Sequence, residues 1–239
     1  MVQGNKILRR ELDGKDALLI SQGDALQTDF LLLHAGGETG QVWQPVMQHL
    51  REAGFTSTAY DQRGHGESTG STGDGIQTFG RDTVAMIRTH RPAVVAGASL
   101  GAYAALLALH SLRDTDQVRG LVLVDAVPAP DGCKVRRFLA AQAPQLSQSP
   151  LVDDILSQSR LMTDAAMSLT LPVTLVRAGP SGPVTDEEVR HLQTICPQVQ
   201  LRHVAEAGHL IARDAPQALA RILIDFANHL HIPRKGPLP

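Results

Sequence analysis

The chain has 239 residues, 43% of them hydrophobic, which is enough for one sizeable core. Its net charge of −2 gives no electrostatic basis for holding nucleic acid or an anionic membrane surface. No apolar run approaches the roughly 18 residues of a membrane span. The polar opening MVQGNKILRRELDGKD lacks the apolar core of a secretory signal. Cys133 and Cys196 make neither a metal spacing nor a disulfide framework, so a reducing, cytoplasmic setting is expected. With aromatics at 3%, a substrate pocket is expected to be lined by aliphatic and small side chains.

In chain order, ILRREL (7–12) and ALLISQ (17–22), joined through Asp13-Gly14, predict a β-hairpin. The apolar run DFLLLH (29–34) predicts a buried strand. VWQPVMQHLREAG (42–54) has helical spacing and a stop at Gly54. FTSTAYD (55–61) is a strand leading into the glycine-rich turn QRGHGES. IQTFGRDTVAMIRTH (76–90) is a helix that Arg91-Pro92 breaks. AVVAG (93–97) is a strand running into a helix from Leu100, and GLVLVD (120–125) and LPVTLVRAG (171–179) are two further strands. Between those two, residues 126–170 carry two or three short helical patterns, the size of a modest lid. Thr185 with Glu188 predicts a capping box for TDEEVRHLQTI. VQLRHVA (199–205) is the last strand and APQALARILIDFANHL (215–230) the last helix, with a proline-rich tail IPRKGPLP expected to fray. Short apolar runs alternating with helical patterns predict an α/β fold around a mostly parallel sheet. With no repeat and no linker in sight, the expectation is one domain over 1–239.

The segment VVAGASLGAYAALLAL (94–109) leaves one hydroxyl between a buried strand and a buried helix. Gly97-Ala98-Ser99-Leu100-Gly101 fits G-x-S-x-G, and its strand-to-helix context gives that short pattern weight. A sharp corner there forces the serine into a strained backbone, tolerable only between small neighbours. Its Oγ then stands at the carboxyl edge of the sheet, where open α/β folds bind ligands. The helix behind offers free N–H groups to a developing oxyanion. Ser99 is therefore the candidate nucleophile, the bland alternative being a serine that caps its helix.

With this motif the chain resembles the α/β-hydrolase family, over nearly its whole length. LLLHAGGETGQVW (31–43) is similar to the family's strand, His-Gly turn and Trp, with Ala35 where glycine is usual. YDQRGHGES (60–68) matches the family's D-x-R-G-x-G-x-S turn, and AEAGHLIARD (205–214) its Gly-His segment after the last strand. The resemblance implies an oxyanion hole from the backbone N–H groups of Gly36 and Leu100, with Gly37 as substitute because Ala35 blurs the register. It also implies His209 as general base, an imidazole suiting that task by its near-neutral pKa. His34 reads as a buried turn residue and His65 as structural or solvent-facing. Gly64 and Gly66 are expected at positive φ, with Asp61 and Arg63 locking their loop.

The third member of a triad departs from the pattern. The family usually carries an aspartate after the penultimate strand, but the turn there reads PSGPVT, with Ser181 and Gly182 where the carboxylate is expected. A minority of the family places the acid at the end of the preceding strand, where Asp125 stands. Asp186 or a neighbouring acid, or a Ser–His pair without a carboxylate, remain the alternatives. Serine rather than aspartate at the corner implies an acyl ester intermediate. Tyr60 and Tyr103 both lie outside 126–170 and Trp43 is the one tryptophan, which fits neither an epoxide hydrolase nor a dehalogenase. No dinucleotide, P-loop or metal-ligand pattern is present, so no cofactor and no metal is implied. The expectation is hydrolysis of a small carboxylic ester, lactone or thioester, with an acyl substrate and water as the partners. A ligand sensor of the same fold, a lyase and a perhydrolase are the competing readings.

Overall fold

A computed structural model describes residues 5–12, 15–22, 27–112 and 117–235. In chain order the elements are β1 (Asn5–Leu12), β2 (Lys15–Gln22), β3 (Phe30–Leu33), α1 (Gln44–Glu52), β4 (Ser57–Tyr60), α2 (Ile76–His90), β5 (Val94–Ala98), α3 (Leu100–Ser111) and β6 (Gly120–Val124). Then follow α4 (Gly132–Gln142), α5 (Pro144–Ser147), α6 (Pro150–Ser157), α7 (Ser159–Met167), β7 (Val173–Ala178), α8 (Asp186–Ile195), β8 (Val199–Val204), α9 (Ile211–Asp214) and α10 (Pro216–His229). The strands form one sheet in the order β1-β2-β4-β3-β5-β6-β7-β8. The hairpin β1–β2 is antiparallel and joins β4 antiparallel; every later pairing is parallel. The hairpin matches expectation, while its Asp13-Gly14 turn lies outside the described residues.

The central strands are apolar throughout because both sheet faces are covered. On β3, Phe30 and Leu32 pack toward one face and Leu31 and Leu33 toward the other, the two-residue alternation of a pleated strand. α1 and α10 cover the first face; α2, α3, α7 and α8 cover the second. α3 is buried from Leu100 to Leu109, so it needs no polar face. α2 stops where Arg91 turns left-handed at φ 47° ahead of Pro92, a residue type that disfavours helix in its predecessor.

The order of strands decides where a site can form. From β3 the chain moves to one side to place β4, then crosses back to lay β5 on β3's other side. The loops after β3 and β5 therefore leave the sheet in opposite directions and open a crevice at its carboxyl edge. Gly36 and Ser99 stand in those two loops.

Four details differ from the sequence reading. The helix expected over 42–54 begins earlier, as a 3-10 turn over Gly40–Trp43, before α1 proper. Residues 126–170 hold four helices rather than two or three, because Pro144 and Pro150 each start a new one. The short α9 intervenes between His209 and α10. The tail does not fray through Lys235. Ile232 is buried, the Lys235 N–H donates to the Gly54 carbonyl at 2.8 Å, and its ammonium lies 3.6 Å from Asp29. Residues 236–239 lie outside the described residues.

Candidate active site

Ser99 sits at the corner between β5 and α3 with φ 47° and ψ −110°, a conformation L-residues seldom adopt. Two glycines make that corner possible by close approach rather than by turning. A Cβ at Gly97 would come within 2.3 Å of the Gly101 backbone, and one at Gly101 within 2.5 Å of the Leu33 carbonyl oxygen. The start of α3 is thus pressed onto the ends of β5 and β3. The Ser99 N–H donates to the Val124 carbonyl at 3.1 Å and its own carbonyl accepts from Ala102 N–H at 2.9 Å. Both backbone groups are satisfied, and the side chain is left half-exposed in the crevice.

The neighbouring strand end repeats the device. Asp125, just past β6, also has positive φ, at 49°. Its N–H donates to the Val176 carbonyl at 2.7 Å, and its Oδ1 accepts the Ala178 N–H at 2.9 Å. Oδ2 lies 2.8 Å from Nδ1 of His209, with the carboxylate side chain wholly buried and the imidazole 13% exposed. The PSGPVT turn closes over this pair. A Cβ at Gly182 would stand 3.0 Å from Asp125 Oδ2, so the turn that lacks an acid leaves room for one supplied from β6. Asp186, the alternative acid, is 75% exposed at the start of α8 and bonds the Arg177 guanidinium, which lowers its pKa. It makes no hydrogen bond to His209.

The turn after β3 is held from behind. His34 is fully buried, with Nδ1 donating to the Ala35 carbonyl at 2.8 Å and Nε2 accepting the Gln62 N–H at 2.9 Å. Burial lowers its pKa to about 3, so the ring is neutral. The Gln62 side-chain amide donates to the His34 carbonyl at 2.7 Å. Glu38 closes the turn by donating its N–H to the Ala35 carbonyl at 3.2 Å, and one carboxylate oxygen accepts the Ala35 N–H at 3.4 Å. Burial raises the Glu38 pKa, and Arg213 and His209 partly counter it. Among the described residues no protein acceptor takes the N–H of Gly36 or of Leu100, and both residues line the crevice.

The 60–68 loop is locked as its residue types suggest. Asp61 accepts from the N–H groups of Gly40 at 2.7 Å and Glu67 at 3.0 Å. Buried Arg63 grips both oxygens of Asp82 at 2.6 Å, while Gly64 and Gly66 take φ 69° and 53°. His65 has the structural place expected of it, with Nδ1 at 3.0 Å from the Arg63 carbonyl oxygen. It stacks edge-on against His34 at 5.0 Å and also lines the crevice.

The crevice is a cavity of about 350 Å³ between the strand ends and α4–α6. Its walls are mostly aliphatic, as the composition led us to expect, with Phe138 and Tyr103 as aromatic exceptions. Phe138, on α4, meets the His209 ring edge-on at 5.1 Å. Arg213 and Asp214 of α9 stand at its rim. The sequence reading attached no role to Tyr103 or Phe138. For Tyr103 a signal existed, since it stands in the first turn of the helix that opens directly after Ser99. For Phe138 there was none.

Residues 26–166 match the family model described as serine aminopeptidase S33, a span that includes Ser99 and Asp125. The chain belongs to that family of α/β hydrolases. It is similar to the esterase Rv0045c of Mycobacterium tuberculosis, at 26% identity over 81% of this chain and 80% of that protein. The solved structure of that esterase superposes with a TM-score of 0.72 at 22% identity, covering 95% of this chain and 93% of the other. A thioesterase domain from the curacin biosynthetic pathway superposes with a TM-score of 0.73 at 22% identity, covering 93% of this chain and all of that one. This chain is thus an α/β-fold hydrolase. Among the described residues no helix is long and apolar enough to cross a membrane.

Proposed function

We propose that this hydrolase cleaves a small carboxylic ester, lactone or thioester through an acyl-enzyme on Ser99. The observation that carries the reading is the 2.8 Å contact between Asp125 Oδ2 and His209 Nδ1 in a cavity that Ser99 also lines. A buried carboxylate accepting the Nδ1 proton fixes the imidazole tautomer and leaves Nε2 as the free base. His209 Nε2 takes the Ser99 hydroxyl proton as Oγ adds to the substrate carbonyl. The oxyanion forms against the uncommitted N–H groups of Gly36 and Leu100. Collapse breaks the bond to the leaving alkoxide or thiolate, which receives the proton from the imidazolium. Water then repeats the sequence on the acyl ester, returning Ser99 and releasing the acid. Residues 126–170 act as the lid of this single domain, with α4–α6 roofing the cavity.

A fluorophosphonate probe tests the reading. It is expected to label wild type stoichiometrically at Ser99, to spare Ser99→Ala, and to label in step with loss of p-nitrophenyl ester hydrolysis. A folded wild type that takes no label would favour a ligand sensor of the same fold. Cleavage that survives Ser99→Ala would point instead to lyase chemistry in the same cavity.

A further inference from the structure

Both tyrosines of this protein are largely buried, and among the described residues only the Tyr60 hydroxyl has a hydrogen-bond partner. Tyr60 shares a hydrogen bond with Thr83 Oγ1 at 3.0 Å. Tyr103 is 9% exposed and lines the cavity, yet among the described residues its hydroxyl meets no hydrogen-bond partner. The hydroxyl is accessible from the cavity rather than sealed in the core, so a bound molecule can supply the partner that a mostly buried tyrosine ordinarily finds. Its position is set by α3. It stands in the first turn of α3, on the wall of the same cavity that Ser99 lines.

The groups around it do not consume its proton. The nearby carboxylates are Glu188 and Asp125. Glu188 accepts the Asp131 N–H through Oε1 at 2.8 Å and the Thr185 N–H through Oε2 at 2.7 Å. Asp125 is committed to Ala178 N–H and His209. Burial, reinforced by these two negative charges, pushes the phenol pKa up, so the group stays a donor. The same charges make its surroundings hostile to an anion.

Building on the hydrolase reading, we infer that Tyr103 donates a hydrogen bond to a neutral oxygen on the substrate chain that fills this chamber. The substrate class is then an ester whose chain carries a carbonyl, ether or hydroxyl oxygen, in preference to a plain alkyl chain or one ending in a carboxylate. Leu151, Val152, Ile155 and Val184 supply the aliphatic wall, and the Tyr103 hydroxyl supplies an unspent side-chain donor in the same cavity.

The test is a walk. p-Nitrophenyl esters with a six-atom chain are compared as the all-carbon parent, as isomers with an ether oxygen at each successive position, and as the carboxylate-ended chain. Each kcat/KM is divided by the ester's own hydroxide rate, which removes the oxygen's effect on intrinsic reactivity. In wild type at least one oxygen position should gain about 3- to 10-fold over the parent, the scale of one neutral hydrogen bond. Tyr103→Phe should erase that gain, and the carboxylate-ended ester should trail the parent in both proteins. The inference fails if no position gains in wild type, if the gain persists in Tyr103→Phe, or if the carboxylate-ended ester is preferred. The wild-type series decides by itself should the variant fold poorly. A wild type that neither takes fluorophosphonate nor turns over any ester removes the hydrolase reading and this inference together. A labelled, active enzyme indifferent to the oxygen removes this inference alone.

Discussion

The strand ends beneath the cavity and the helices above it are built differently. Below, Ser99 and Asp125 hold strained backbones, and each is pinned to an adjacent strand, Ser99 to Val124 and Asp125 to Val176 and Ala178. The Gly179 N–H donates to the Ala207 carbonyl at 2.9 Å, tying the end of β7 to the loop that carries His209. Above, α4 and α5 contain no buried residue. The roof is itself graded, since α6 buries Leu151 and Ile155 and its Asp154 accepts the first N–H of α2, from Ile76, at 2.6 Å. α4 is tethered at its entry by Asp131 N–H on Glu188 and along its length by the exposed Arg136–Asp153 pair. A strained site needs surroundings that over-determine it; a surface that admits substrate does not. The comparison predicts that substitutions below cost chemistry, stability or both, while those above alter activity with little change in stability.

The largest effect is expected from Asp125→Asn. Oδ1 can still accept the Ala178 N–H, so the strand end is retained. An amide N–H₂ facing His209 forces Nδ1 to become the acceptor and moves the ring proton to Nε2. The base is lost with little change in shape, and kcat should fall by about 10³–10⁴. Steady-state kinetics checks this, and a loss below tenfold would show that Asp125 does not set the tautomer.

Next comes acid sensitivity, which separates the two regions by pH. His34 underlies the turn carrying Gly36, and burial holds it neutral down to about pH 3, against 6.5 for a free ring. Between those values the unfolded chain binds the proton and the folded one does not. Stability is therefore full above pH 6.5 and declines as pH falls toward 3, with one pKa unit worth about 1.4 kcal/mol. The slope of urea-derived stability against pH should be visibly shallower in His34→Gln, although that variant starts lower. Equal slopes would mean that another group drives acid unfolding.

Gly101→Ala probes the packing alone. The new methyl would collide with the Leu33 carbonyl of a central strand, which cannot step aside as a flexible side chain can. Overpacking of this kind costs about 1–3 kcal/mol, or roughly 2–12 °C in Tm for a chain of this size. Fluorophosphonate labelling at Ser99 should slow in parallel, because the corner and the helix start move as one.

Legibility in the sequence followed the same division. β3, β5 and β6 are continuous apolar runs because both their faces are covered, and such runs announce themselves. The corner at Ser99 was readable because its glycines answer a steric demand set by residues only a few positions away. The contact of Asp125 with His209 was harder to read, since its carboxylate is also held by the Ala178 N–H at the end of β7, 53 residues downstream. α9 and the docked tail at Lys235 were invisible, one being too short to show periodicity and the other held by a contact with Gly54. The contact of Phe138 with His209 joins helix α4 to the loop after β8, two segments that no local pattern relates.

That contact gives the smallest predicted effect and the sharpest test of the upper region. Phe138 is half-buried on a helix with no core residues, so its loss removes little stabilising area. Phe138→Ala should shift stability by no more than about 0.5 kcal/mol, within 2 °C in Tm. Its ring meets His209 edge-on, an arrangement worth about 0.5–1.5 kcal/mol between rings. In this site that energy restrains an imidazole whose other anchor is a single hydrogen bond. Removing the ring should lower kcat/KM about 2- to 10-fold, more through kcat than KM because the base, rather than a binding wall, is loosened. Adding back bulk in Phe138→Leu should recover part of the loss by excluding water without an aromatic edge. If Phe138→Ala instead melts as early as Gly101→Ala, α4 belongs to the core after all. The roof would then be part of the scaffold, and substrate entry would have to be sought at the Arg213–Asp214 rim.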